Sequence, residues 1–150
     1  MDLCSAGGRA PSNGAIWNPH STIRLILVAM SVAVQASPGI AVSLALRRSS
    51  TRGTPTVTIT PDIDSSWERD KAPAAAPLID LQYSALPTLD ASILDRFHVV
   101  SAAPVVSTGF DKPMTFPGLI IPPGTGFVFG DVLDTTAVVA DWTFTWRDEG

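Results

Sequence analysis

Hydrophobic and polar residues alternate with a period of two in several short stretches of the chain, the pattern of a half-buried β-strand. Between residues 40 and 47 the larger apolar residues take the even positions, and small or charged residues fall between them. Near the end of the chain the alternation recurs with aromatic residues: Ala140, Trp142, Phe144 and Trp146. We therefore predict a strand in each of these two stretches.

Residues 25–34 are apolar on both faces of the strand that they are expected to form. One face would carry Leu25, Leu27 and Ala29, and the other Ile26, Val28, Met30, Val32 and Val34. The outer face of a two-layer antiparallel sandwich is normally polar. Either a bulge exchanges the two faces of the strand, or another subunit covers the outer one. We favour burial by a neighbouring subunit.

The segment 22–36 also has the composition of a signal peptide, with an arginine, an apolar run and a small-residue end. It is preceded by 21 mostly polar residues, which is not where a signal peptide belongs. As a membrane span it is too short, since a span needs ~20 apolar residues. We interpret it as a buried strand and keep the signal peptide as the alternative.

Proline and glycine define the turns. The 13 prolines leave only short uninterrupted stretches, which excludes an all-helical fold. The segments 37–40 and 122–125 each place proline before glycine, as in a type II turn. Each turn is predicted to close a hairpin, joining 23–35 to 40–47 and 118–121 to 126–129.

Further short strands are predicted at 56–60, 78–83 and 98–102, and a short helix at 90–97, capped by Asp90. About eight strands at this spacing are typical of a sandwich. The predicted fold class is an all-β, antiparallel β-sandwich that is jelly-roll-like.

Residues 1–21 are predicted to form an extended N-terminal arm, and residues 22–150 the sandwich domain. Glycine and proline are frequent in the first segment, which disfavours regular structure there. Ile16 and Trp17 are the residues expected to anchor the arm on a neighbouring subunit. Residues 61–77 concentrate charge and proline, and are predicted to form a long exposed loop.

Length and charge limit the class of protein. A chain of 150 residues, 45% hydrophobic and only 16% charged, is neither a disordered chain, a coiled coil nor a basic nucleic-acid-coating protein. The net charge of -4 is unevenly distributed, with five arginines against one acid in residues 1–60. We expect a mixed surface; a basic arm lying on an acidic neighbour is the alternative.

Residues with catalytic or metal-binding chemistry are few. One cysteine, Cys4, allows neither an intramolecular disulfide nor a cysteine zinc site, and His20 and His98 lack metal-ligand spacing. Asp62, Asp64 and Glu68 could supply oxygen ligands, but the glycine of a calcium loop is missing, so a solvated acidic loop is favoured. No nucleophile motif occurs. The sequence predicts no catalytic residue, no cofactor and no metal.

The tryptophans have two interpretations. Trp67 lies in the charged loop, where it could stack on a sugar or a partner, or cap the end of the sandwich. The stripe Trp142, Phe144 and Trp146 could be a platform for carbohydrate, but alternating aromatics on a strand are more often core or interface.

One resemblance can be named from residues 23–150. The apolar strand leads through a tight turn to Ile40–Arg48, then comes Ser-Ser-Thr-Arg-Gly-Thr at 49–54. A Pro-Gly-Thr-Gly turn precedes Phe127-Val128-Phe129, and the last strand ends in Trp-Arg-Asp-Glu. This order resembles small β-sandwich structural proteins of tailed bacteriophage virions. The resemblance implies a capsid-decorating, head-stabilising or neck component without catalytic residues.

The functional expectation is therefore a non-enzymatic virion protein, assembled in the host cytoplasm, which acts by forming interfaces. Its expected partners are copies of itself and the major capsid or other virion proteins, with no direct contact to nucleic acid or membrane. The expected interface residues are Ile16, Trp17, Leu25, Leu27, Val28, Met30 and Trp67. The alternative is a carbohydrate-binding or adhesin module that uses Trp67 and Trp146.

Overall fold

The computed structural model describes residues 3–11, 13–37, 42–61, 75–99, 105–131 and 139–149. Within these ranges the chain forms ten strands and no helix. The strands are β1 (Cys4–Pro11), β2 (Asn13–Trp17), β3 (Leu25–Ser37), β4 (Val42–Ser49), β5 (Thr54–Ile59), β6 (Leu78–Ala85), β7 (Leu89–Val99), β8 (Val105–Ile121), β9 (Gly126–Asp131) and β10 (Val139–Asp148). The prediction of an all-β fold is confirmed.

Two antiparallel sheets pack face to face. The four-stranded sheet has the order β1-β10-β3-β8, and the six-stranded sheet has the order β5-β6-β2-β9-β4-β7. With β5 and β6 set aside, the first strand pairs with the last, the second with the next to last, and so on inwards: β1 with β10, β2 with β9, β3 with β8, and β4 with β7. This is an antiparallel ribbon wrapped around a core, the jelly-roll arrangement.

The β5–β6 pair is an insertion at the point where the ribbon turns back, between β4 and β7. It extends the six-stranded sheet because β6 pairs with β2. The predicted strands at 56–60 and 78–83 correspond to β5 and β6.

Large aromatic side chains fill the space between the sheets. Trp142, Phe144 and Trp146 are at most 1% exposed, and the rings of Trp142 and Phe129 meet edge to face with centroids 5.4 Å apart. The alternating stripe of β10 therefore belongs to the core, and its interpretation as a carbohydrate platform is wrong.

A bulge in β3 explains why that strand is apolar on both faces. Its pairing with β8 shifts between Leu27 and Ala29, and its pairing with β10 shifts at the same place. Before the shift Leu25 and Leu27 are fully buried, whereas after it Met30 and Val32 are buried. The bulge exchanges the inward face, so the strand packs into its own sandwich and the predicted cover by a neighbouring subunit is not needed.

The predicted N-terminal arm is wrong for residues 4–11 and 13–17, which form two strands of the sandwich. β1 pairs with β10 at the edge of one sheet, and β2 lies between β6 and β9 in the other. Gly14 permits a close approach, since a Cβ there would come within 2.5 Å of the Trp142 indole. The glycine that suggested an irregular segment is thus required by the core.

The proline-glycine turn at 122–125 forms as predicted, but it does not close a hairpin. Gly124 has a φ of 66°, and the Thr125 N–H donates to the carbonyl oxygen of Pro122 over 3.2 Å. The strands on either side, β8 and β9, lie in different sheets, as do β3 and β4. Both predicted hairpins are wrong, because a tight turn reverses the chain without deciding which sheet the next strand joins. Residues 38–40 of the first turn lie outside the described residues.

The predicted helix at 90–97 is also wrong, because these residues form most of β7. They pair with β4 along the edge of the six-stranded sheet, where Phe97 lies opposite Leu44. Hydrogen bonding to an existing strand outweighs a short amphipathic pattern.

Candidate functional site

A cleft of about 120 Å³ opens where β4 leaves the six-stranded sheet. The end of β4, the start of β7 and the turn between β8 and β9 form its sides. The residues that line it are Arg48, Ser49, Ser50, Asp90, Pro122 and Thr125. It brings three segments together that are distant in the sequence.

Arg48 is held in place from two sides. The central carbon of its guanidinium lies 4.8 Å from the centre of the Phe127 ring, and Nη1 donates to the carbonyl oxygen of Ile120 over 3.2 Å. A guanidinium carries five N–H donors, so most of its donors remain for another acceptor. Because the cation–π contact and the hydrogen bond already orient the guanidinium, the Arg48 side chain loses little further conformational entropy when a ligand binds it.

The turn that forms the opposite side is tied to the core through Asn18, which is fully buried. The Asn18 N–H donates to the carbonyl oxygen of Thr125, and the Gly124 N–H donates to that of Asn18. Asn18 Nδ2 donates to the carbonyl oxygens of Ile23 (2.8 Å) and Ile121 (2.9 Å). The side of the cleft is therefore preorganised.

Hydroxyl groups complete the cleft. Ser49 is only 3% exposed, and its hydroxyl makes no hydrogen bond with any residue that the structure describes. Thr125 Oγ1 donates to the carbonyl oxygen of Pro122 over 2.8 Å and can still accept. Asp90 is exposed at the start of β7 and has no ion-pair partner among the described residues. One cation, one carboxylate and three hydroxyls thus surround the same small volume.

A second polar cluster joins the β4–β5 connection to the β5–β6 insertion. Arg52 contacts the fully buried Asp80 with two hydrogen bonds of 2.8 Å, from Nε and from Nη2. Thr58 Oγ1 donates to the same carboxylate over 2.6 Å. The hydrogen bond to Asp80 raises the pKa of Arg52. Both oxygens of Asp80 are engaged by Arg52 Nε, Arg52 Nη2 and Thr58 Oγ1, so the cluster holds the insertion in place rather than offering a site.

Tyr83, the one tyrosine of the chain, is expected to resist ionisation in the folded protein. Burial raises its pKa well above the ordinary value of 10.0, and the carboxylate of Asp80 raises it further, although Arg52 opposes this. Below pH 10 the phenol is neutral in both the folded and the unfolded chain, and the stabilisation that its burial contributes is complete. This stabilisation is lost as the pH rises above 10, where only the unfolded chain ionises. We expect ultraviolet absorbance to detect tyrosinate only well above pH 10.

The Tyr83→Phe variant is the control for this titration, because it removes the absorbance change and should make the alkaline loss of stability shallower. A tyrosinate midpoint near pH 10 in protein with a native circular dichroism spectrum would contradict the burial of this side chain.

Most residues predicted to form an interface lie in the core instead. Ile16, Leu25 and Leu27 are 0% exposed and Met30 is 2% exposed, so these four predictions are wrong. The bulge in β3 and the pairing of β2 on both sides turn them inward. Trp17 and Val28 are half-buried, and Trp67 lies outside the described residues.

The other candidate residues that the structure describes do not come together in a site. Cys4 is buried in the core, and a ring nitrogen of His20 lies 3.1 Å from the carbonyl oxygen of Ala76. His98 is paired opposite Ser43 in β7. Among the described residues no group of His, Cys, Asp or Glu could hold a metal. Asp62, Asp64 and Glu68 lie outside that part of the chain.

Within the described ranges, no helix is long and apolar enough to cross a membrane.

No pattern in the sequence predicts the cleft. Asp90 was expected to cap a helix, and Arg48 and Ser49 stood in a polar stretch without a motif. Only the turn at 122–125 was recognised. The cleft depends on strand pairing between distant segments, for which a single sequence carries no local signal.

Comparison with known proteins found no matching family model, no matching curated protein and no matching solved structure. The fold assignment therefore rests on the connectivity of the strands, and any function has to be argued from surfaces and sites.

Proposed function

We propose that the chain is a non-enzymatic structural protein of a tailed bacteriophage virion, which decorates or stabilises the capsid or the head-neck region. Its role would be to form interfaces with copies of itself and with the major capsid or other virion proteins. The virion, assembled in the host cytoplasm, would be its location.

The observation that carries this proposal is the jelly-roll order of the strands, an architecture that serves in viral capsid proteins. It adds to the resemblance in turns and strands noted above. This support is a likeness of fold, and one fold hosts many functions.

The outer face of the four-stranded sheet offers a surface for such contacts. Inward-facing aromatics on β10 place Thr143 and Thr145 on this outer face. One row across the sheet reads Ser5, Thr145, Ala29 and Thr115, and the next begins Gly7, Thr143 and Ser31. Side chains this short lose little rotamer freedom when another surface covers them. We take a second copy of the chain as the partner on this face.

The native mass of the purified protein tests the proposal. We expect particles larger than the 15.8 kDa chain at micromolar concentration. Thr143→Arg, which places a long charged side chain on this face, should shift the mass towards the monomer. Gln82→Arg, at an exposed position on β6 in the other sheet, is the matched control and should leave the mass unchanged.

A single species of 15.8 kDa with no larger particle would count against the proposal. A larger particle that Thr143→Arg leaves intact would count against this face as the contact.

A further inference from the structure

We propose that the cleft between Arg48, Asp90 and the turn at 122–125 binds a neutral, hydroxyl-rich ligand, in particular a single sugar ring at the end of a glycan. This inference is independent of the virion proposal, because it rests on the cleft alone.

The charges of the cleft favour a neutral ligand over an anion. Arg48 by itself would suit a phosphate or a carboxylate. Asp90 lines the same cleft and would repel a second negative charge. The two formal charges cancel, and a ligand that both donates and accepts hydrogen bonds satisfies both groups. A sugar hydroxyl can donate to the carboxylate while a neighbouring hydroxyl accepts from the guanidinium.

The Ser49 hydroxyl is a further polar group that a ligand in the cleft could use. Ser49 is 3% exposed and lines the cleft, and its hydroxyl makes no hydrogen bond to any described residue. A ligand hydroxyl in the cleft could donate to this oxygen or accept from it.

The size of the cleft limits the ligand to a small group. Its volume is about 120 Å³, whereas sites for drug-sized molecules measure ~300 to 1,000 Å³. The ring of Pro122 gives one apolar surface beside the polar groups, as suits a sugar ring, which has apolar C–H faces and a polar rim. Exposed Asp90 leaves the cleft open to solvent at β7, so the rest of a glycan could extend outwards.

The test uses the full chain and four probes: the methyl glycosides of glucose, galactose and mannose, and N-acetylglucosamine. Saturation-transfer nuclear magnetic resonance and titration calorimetry would measure binding. We expect at least one probe to bind with a dissociation constant in the millimolar range, and Asp90→Asn to weaken it about tenfold by removing a charged acceptor. Asp148→Asn, a carboxylate on β10 outside the cleft, is the matched control and should bind as the unaltered chain does.

Arg48→Gln should weaken binding as well, with Arg24→Gln, at an exposed arginine paired with Glu149, as its control. Circular dichroism melting confirms that each variant is folded. Asp90 is exposed, so Asp90→Asn should fold, and it still tests the proposal if Arg48→Gln is unstable. Failure of all four sugars to bind overturns the proposal. So does binding that Asp90→Asn leaves unchanged, or inorganic phosphate binding in place of the sugars and strengthened by Asp90→Asn, which would identify an anion site.

Discussion

Deletion of residues 1–17 is expected to leave the chain unfolded. The deletion removes β1 from the edge of one sheet and β2 from the interior of the other, where it joins the β5–β6 insertion to β9. It also removes fully buried Ile16 and the contact of Gly14 with Trp142. A domain of this size is stable by only ~5 to 15 kcal/mol, which the loss of an interior strand and its core contacts should exceed. Far-ultraviolet circular dichroism and the absence of a cooperative melt would measure this.

Deletion of residues 1–2 alone is the control, since β1 begins at Cys4. This shorter deletion should keep the melting temperature within about 2 °C of the full chain. A cooperative, native-like melt after removal of residues 1–17 would contradict the structure and restore the interpretation of this segment as an arm.

Replacement of Trp142 by alanine is expected to cost ~3 to 5 kcal/mol of unfolding free energy, the range for a large aromatic removed from a core. Its ring is 0% exposed, meets Phe129 edge to face and fills the space left by Gly14. Urea unfolding, analysed by linear extrapolation, gives the measurement.

Trp142→Phe should be tolerated far better than Trp142→Ala, for a reason specific to this site. The Nε1 of Trp142 is buried without a hydrogen-bond partner among the described residues, and an unpaired buried donor costs ~1 to 3 kcal/mol. Phenylalanine removes that donor and keeps part of the ring volume. Trp146→Phe is the matched control, because Trp146 is equally buried but has no unpaired buried nitrogen of this kind. An equal or greater loss of stability in Trp142→Phe than in Trp146→Phe would contradict this account.

The strands with strict alternation were predictable because alternation is a property of the extended backbone itself. In β10 every second residue from Ala140 to Trp146 points inward, and no information from elsewhere in the chain is needed to see it. In β3 the same rule failed, since a single extra residue near Val28 relative to β10 exchanges the faces, and the pairing shifts again between Val34 and Ala36. The sequence allowed that bulge as one of two explanations but could not choose between them.

The glycines near the N-terminus show a second limit of prediction from the sequence. The residues around Gly14 have the composition of an irregular segment. Its role depends on Trp142, more than a hundred residues away in the sequence, whose indole occupies the space where a Cβ would stand. A close approach of this kind cannot be predicted until the pairing of the strands is known.

The candidate site was harder to predict from the sequence than the fold. The turn at 122–125 was recognised because proline and glycine determine backbone angles locally. That it faces Arg48 and Asp90 follows from the pairing of β4 with both β7 and β9. The cleft is a product of sheet order and not of any motif.

Local patterns along the chain were enough to predict that this protein is all-β, which of its later segments are strands, that the aromatic stripe of β10 is buried, and where one tight turn lies. Each of these depends on the conformational preferences of neighbouring residues. Three features followed only from the tertiary structure: residues 4–11 and 13–17 belong to the sandwich, the chain crosses between the sheets at most of its connections, and Arg48, Ser49 and Asp90 share a cleft. These depend on hydrogen bonds and side-chain packing between segments far apart in the chain, which are set by the whole fold and not by the local order of residues.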